Sequence, residues 1–203
     1  MIRIIRIVAI AGLALVAFAW AVAWVRPDLY ASLRGTAASG AVSVGGPFSL
    51  TDHTGRAVSE QTYRGKWMLV YFGYTFCPDI CPTELQTVAN ALDQLGPMAD
   101  QVVPLFITID PARDTAAALA DYVKLFDTRL IGLTGSEAQI AAVAREYRVY
   151  YAKATSKDSD SYLMDHSSFL YLMGPDGTFR ALFRQGLSPE ELAKALRARI
   201  AGA

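Results

Sequence analysis

Cysteine is almost missing from this 203-residue chain: Cys77 and Cys81 are the only two, four positions apart. A structural disulfide is a poor reading of so close a pair, because closing a loop of that size stabilises little. Histidine is equally scarce, with only His53 and His166. Net charge is absent as well, since 19 Lys and Arg balance 19 Asp and Glu. That balance gives no electrostatic argument for nucleic acid or for an anionic surface as partner. No internal repeat is visible, and the length exceeds one small domain by about the size of an N-terminal extension.

What the chain does have is apolar residues, 53% of the total, and part of that excess is localised. Ile7 to Val25 is a run of 19 residues without a polar or charged side chain, bounded by Arg6 and Arg26. At ~1.5 Å per residue it comes close to the ~30 Å hydrocarbon core, enough for one span. Arg3 and Arg6 precede it, so the positive-inside rule places the N-terminus in the cytoplasm and the bulk of the chain outside. The rival reading is a cleaved signal peptide, with Ala-x-Ala triplets at Ala17-Phe18-Ala19 and Ala21-Val22-Ala23. Those triplets lie inside the apolar run with no polar region before them, so the sequence favours an uncleaved anchor. Only six residues precede the run, too few for a mitochondrial presequence. The expected setting is therefore a single-pass protein of the bacterial inner membrane with its domain in the periplasm, where an idle thiol pair tends to oxidise.

The expected organisation is an anchor at 1–25, a Gly/Ser/Ala-containing linker at 26–46 and one folded domain at 47–203. Within the domain, periodicity predicts strand 67–73, helix 82–95, strand 102–109, helix 115–126, a short strand near 130–133 and helix 136–146. Strands at 147–151, 168–173 and 178–184 and a helix at 189–200 follow. Thr134-Gly135-Ser136-Glu137 and Ser188-Pro189-Glu190-Glu191 read as capping boxes. Gly174-Pro175-Asp176-Gly177 reads as a hairpin turn. The polar segment 152–161 reads as a surface loop that could gate whatever lies near His166. Alternating strand and helix implies parallel crossovers, and the thiols fall at the C-terminal end of a parallel strand. Together these features describe a thioredoxin-like α/β domain, a mixed sheet flanked by helices.

The cysteines sit where strand 67–73 hands over to a helix, one turn apart, and a helix N-terminus favours thiolate. The pair is either a redox couple or a soft-metal site, and three intervening residues differ from the two of thioredoxin-type motifs. His166 stands at the end of strand 168–173, beside the redox helix in such a layout. Cys77, Cys81 and His166 then form a set of two sulfurs and one nitrogen, suited to copper and to Cu(I) in particular. Zinc would want a fourth ligand, and His53 lies in a turn-like stretch far off in sequence, where it reads as a solvated turn residue. Asp79, between the cysteines, reads as a solvated or capping residue. Asp110 ends a parallel strand on the thiols' edge and is a candidate supporting residue, whereas Asp114 reads as a helix cap.

These residues resemble the SCO/SenC family of membrane-tethered copper proteins that assist cytochrome c oxidase assembly. The matching segments are Gly45 to Asp52, Gly65-Lys66-Trp67 together with Tyr74 to Pro82, Phe106 to Thr115, and Asp165-His166-Ser167-Ser168. They span nearly the whole domain in the family's order. The resemblance implies a thioredoxin-like fold and copper, as Cu(I) or Cu(II), held by Cys77, Cys81 and His166. It implies as partner the CuA domain of cytochrome c oxidase subunit II, with an upstream periplasmic copper donor or thiol reductant, and no nucleic acid.

Three functions compete. A metallochaperone passes copper by ligand exchange, transforms no bound substrate and so is not an enzyme in the strict sense. A thiol–disulfide reductase would use Cys77 and Cys81 as a redox pair to keep the CuA cysteines reduced, with Cys77 attacking. A thiol peroxidase would leave Cys81 and His166 without a role. The histidine separates the first two readings, because disulfide exchange does not require it.

Overall fold

The run Trp67 to Gly73 forms a strand buried along its entire length, as expected of an apolar, aromatic segment covered on both faces. The structure, a computed structural model, describes residues 44–155 and 162–202 together with Trp20. In chain order the strands are β1 (Ser49–Asp52), β2 (Ala57–Ser59), β3 (Trp67–Gly73), β4 (Val102–Thr108), β5 (Ile131–Thr134), β6 (Tyr151–Thr155), β7 (Tyr162–His166), β8 (Phe169–Met173) and β9 (Phe179–Arg184). The α-helices are α1 (Ile80–Leu95), α2 (Ala116–Val123), α3 (Glu137–Glu146) and α4 (Pro189–Ala201). The predicted span at 1–25 and the linker up to residue 43 lie outside the described residues, Trp20 apart. Among the described residues no helix is long and apolar enough to cross a membrane.

Seven strands form one mixed sheet in the order β2-β1-β5-β4-β3-β8-β9. β3, β4 and β5 are parallel neighbours, and β8 returns antiparallel beside β3. The alternation of strand and helix from β3 to β5 has the parallel pairing expected of it. α1 packs on α4, and α2 on β5. α4 begins with the anticipated box: the Ser188 hydroxyl accepts from Glu191 N–H and the Glu191 carboxylate accepts from Ser188 N–H. The β8–β9 turn is also as read, with Gly177 at φ 72° and its N–H bonded to the Gly174 carbonyl.

Several local expectations are corrected. The N-cap of α3 is Ser136, boxed with Gln139, not Thr134. The strand expected at 147–151 does not form. Arg148 takes a left-handed φ of 58°, and Val149 N–H returns to the Ala144 carbonyl at 2.8 Å, which closes α3 in a Schellman turn. Extended backbone starts only at Tyr151, so 152–155, expected as loop, is strand instead. It pairs with β7 in a separate two-stranded sheet, Tyr151 opposite His166. Of that expected loop, 156–161 lies outside the described residues.

Candidate metal centre

β3 ends at Gly73, the chain turns through Cys77, and α1 opens at Ile80 with Asp79 as N-cap. Helix formation thus begins two residues earlier than periodicity suggests, and Cys81 lies within its first turn. Cys81 is fully buried and Cys77 half-buried. The Cys81 N–H donates to Cys77 Sγ at 3.4 Å, so a backbone donor at the helix start supports negative charge on that sulfur. His166 arrives at the end of β7 with Nε2 3.5 Å from Cys81 Sγ. The Cys77, Cys81 and His166 donor atoms all lie within 4.8 Å of one another.

The imidazole is oriented from behind. Nδ1 lies 3.1 Å from the Ser167 carbonyl, and a carbonyl only accepts, so Nδ1 carries the proton and Nε2 offers its lone pair to the cluster. Tyr74 and Tyr71 meet the ring edge-on, with centroids at 6.1 and 6.3 Å. The Tyr71 hydroxyl donates to Cys81 Sγ at 3.9 Å. The thiols divide their charge unequally. A hydrogen bond from Cys81 brings Cys77 down to about 3, against its burial, and backbone N–H groups add to this. The same bond, with burial, pushes Cys81 up. The metal-free pair is therefore one thiolate and one thiol. Cys77 and His166 also line a cleft of about 250 Å³ with Pro78, Asp79, Ile80 and Leu163.

The remaining sequence candidates lie elsewhere. His53 lies in a turn, as expected, but is half-buried rather than fully solvated: its Nδ1 accepts from Gly132 N–H at 3.1 Å, beside the β1–β5 pairing, and it is not in the cluster. A two-cysteine, two-histidine zinc site is therefore not assembled. Asp114 is not a helix cap, since Thr115 caps α2 by accepting from Ala118 N–H. Asp114 is instead wholly buried and accepts from Thr75 N–H (3.0 Å), the Thr75 hydroxyl (2.6 Å) and the Thr108 hydroxyl (2.6 Å). It pins the cysteine loop to the end of β4. Asp110 is buried, and its side chain accepts from Arg113 and from the Tyr162 hydroxyl rather than from Cys77, Cys81 or His166.

Gly73 contributes to the site by having no side chain. A Cβ there would stand 2.8 Å from Cys81 Sγ and 2.8 Å from the Phe106 ring. A glycine closing an apolar strand pattern, four residues before Cys77, is a sequence signal of a close approach.

Comparison with known proteins adds the family. The SCO1/SenC family model matches residues 36–201. The human protein SCO1 homolog, mitochondrial, is 44% identical over 155 residues, 75% of this chain and 52% of that protein. The chain thus spans about half the length of that relative. Two solved structures are similar over most of the domain. Arabidopsis thaliana ScoI with copper bound has a TM-score of 0.75 at 45% identity, covering 79% of this chain and all of that one. Bradyrhizobium japonicum ScoI with copper bound has a TM-score of 0.72 at 46% identity, covering 77% and 99%. The thioredoxin-like α/β fold is shared with them.

Proposed function

This chain belongs to the SCO1/SenC family, and from that premise we propose that it is a copper metallochaperone for cytochrome c oxidase assembly. Copper is its cargo, held by Cys77, Cys81 and His166 and delivered to the CuA centre of oxidase subunit II. The observation that carries this reading is the convergence of two sulfurs and one imidazole nitrogen within 4.8 Å. That donor set matches the softness of Cu(I) and also accommodates Cu(II), and the two similar structures named above are of copper-bound proteins.

The residues divide the work. Cys77, ionised and half-exposed, meets the incoming ion first. Cys81 gives up its proton as it binds, and the Ser167 carbonyl keeps Nε2 of His166 turned inward. Release runs through the cleft by exchange onto a partner's softer or more numerous ligands, and Cys77 is the more accessible sulfur. An anchor at 1–25 with a linker at 26–46 would hold the domain against the periplasmic face of a bacterial inner membrane, within reach of subunit II.

One observation favours a second activity, reduction of the CuA cysteines. The Cys77 thiolate can attack a partner disulfide, breaking its S–S bond and expelling one thiolate. Cys81 then attacks Cys77 and releases the second thiol, so two electrons pass to the partner and Cys77–Cys81 becomes the disulfide. His166 has no part in that sequence, which makes it the discriminating residue. The test is an anaerobic copper titration of reduced protein beside His166→Ala. The expected result is one copper per chain with thiolate-to-copper absorption, and much weaker binding in the variant. Equal binding by both removes His166 from the site, and reduction of a subunit II disulfide without copper uptake would move the assignment to reductase.

A further inference from the structure

Among the described residues, the hairpin that carries His166 has no strand pairing with the main sheet: β6 and β7 pair with each other. Side-chain contacts must therefore contribute to where the imidazole stands relative to the thiols. Arg113, in the turn after β4, reaches both sides. Its Nε donates to Asp110, a carboxylate 2% exposed. Its Nη1 donates to the Tyr162 carbonyl at 3.0 Å, and its guanidinium carbon lies 3.8 Å from the centroid of the Tyr162 ring. The Tyr162 hydroxyl closes the circuit by donating to Asp110 at 2.8 Å. Tyr162 opens β7, the strand that ends at His166. The same guanidinium lies 4.9 Å from the centroid of Phe76, the residue directly before Cys77.

An exposed Arg–Asp pair three residues apart would contribute little. This one differs because its carboxylate is buried and its cation is packed on rings from two separate segments. Nη2 is buried with no hydrogen-bond partner among the described residues, as suits an edge packed among aromatic side chains.

We propose that Arg113 is a positioning residue that clamps the His166 hairpin to the cysteine loop and so holds the imidazole at binding distance from the thiols. The proposal rests on the copper reading above. Arg113 acts through His166, since its own contacts are with Asp110, Tyr162, Phe76 and Tyr74. Lysine would keep the charge opposite Asp110 but lose the planar fork and the second bond.

The test uses the reduced full chain in detergent as wild type, Arg113→Ala, Arg113→Lys, His166→Ala, and Arg113→Ala combined with His166→Ala. In the metal-free proteins, amide hydrogen exchange should speed up roughly tenfold in β6 and β7 of Arg113→Ala while β3 and β4 keep wild-type rates, with Arg113→Lys between. An unchanged hairpin, or equal acceleration in both sheets, overturns the proposal. With Cu(I) in competition against a chromophoric chelator, Arg113→Ala should bind roughly tenfold more weakly, and the double variant no more weakly than His166→Ala alone. Fully additive losses overturn it. If Arg113→Ala does not fold, Arg113→Lys decides by the same two criteria. If wild type takes up no copper, the copper reading falls, and the exchange measurement still judges the clamp.

Discussion

Cys81 Sγ stands 3.5 Å from His166 Nε2, although 85 positions separate the two residues in the chain. The contact joins a helix's first turn to the end of a strand in a different sheet, so it exists only when α1 and the β6–β7 hairpin are both in place.

The two thiols should react differently. With Cys77 down at about 3 and Cys81 pushed up, iodoacetamide should label Cys77 at a rate nearly flat across neutral and mildly acidic pH. Cys81, buried, should react only on unfolding. Cu(I) binding should then release about one proton per ion near pH 7, from Cys81, because Cys77 is already ionised. Calorimetry in buffers of different ionisation enthalpy measures that number. About two protons per ion would refute the split.

Gly73→Ala should disturb the site from behind. The new methyl collides with Cys81 Sγ and the Phe106 ring, both held in the core, so overpacking should cost roughly 1–3 kcal/mol. Urea denaturation reads the loss, and a copper titration of the folded variant should show weaker binding as Cys81 is displaced. A variant as stable as wild type would mean that the strand end yields without strain.

Asp52 supplies a pH dependence remote from the thiols. Its burial pushes the carboxyl up, but donors from Thr54 and Arg56 outweigh this and hold it at about 2. An unfolded aspartate titrates near 3.9, so the folded value is depressed. The resulting stabilisation is fully present above about pH 4 and is lost as pH falls towards 2. The thermal midpoint should drop across that window, and Asp52→Asn should flatten this part of the profile. An identical pH profile in both proteins would exclude Asp52 as a contributor.

Elements with local causes were legible. β3 is a continuous apolar run, α4 opens with Ser188 and Glu191, and the β8–β9 turn is marked by Gly174 and Gly177. The Schellman turn after α3 was not, because the left-handed position is filled by Arg148, which lacks the usual glycine signal. β6 was missed since Ala152-Lys153-Ala154 is short, weakly apolar and followed by Ser- and Asp-rich sequence. Asp114 reads as a cap in the sequence because caps are local, whereas its partner Thr75 is 39 positions away.

The scarce chemistry is written in the order of residues: two thiols at a strand–helix junction, an imidazole at a strand end, and family segments in order around them. Spacing along the chain set the Cys77–Cys81 relationship, because the loop into α1 is short enough for the Cys81 N–H to reach Cys77 Sγ locally. Folding in three dimensions is what makes His166 meet those sulfurs, Gly73 leave room for one of them, and Asp114 and Arg113 fasten the loop and the hairpin. Those are contacts between segments distant in sequence. They follow from how sheet, helix and hairpin pack together, which no local pattern of residues encodes.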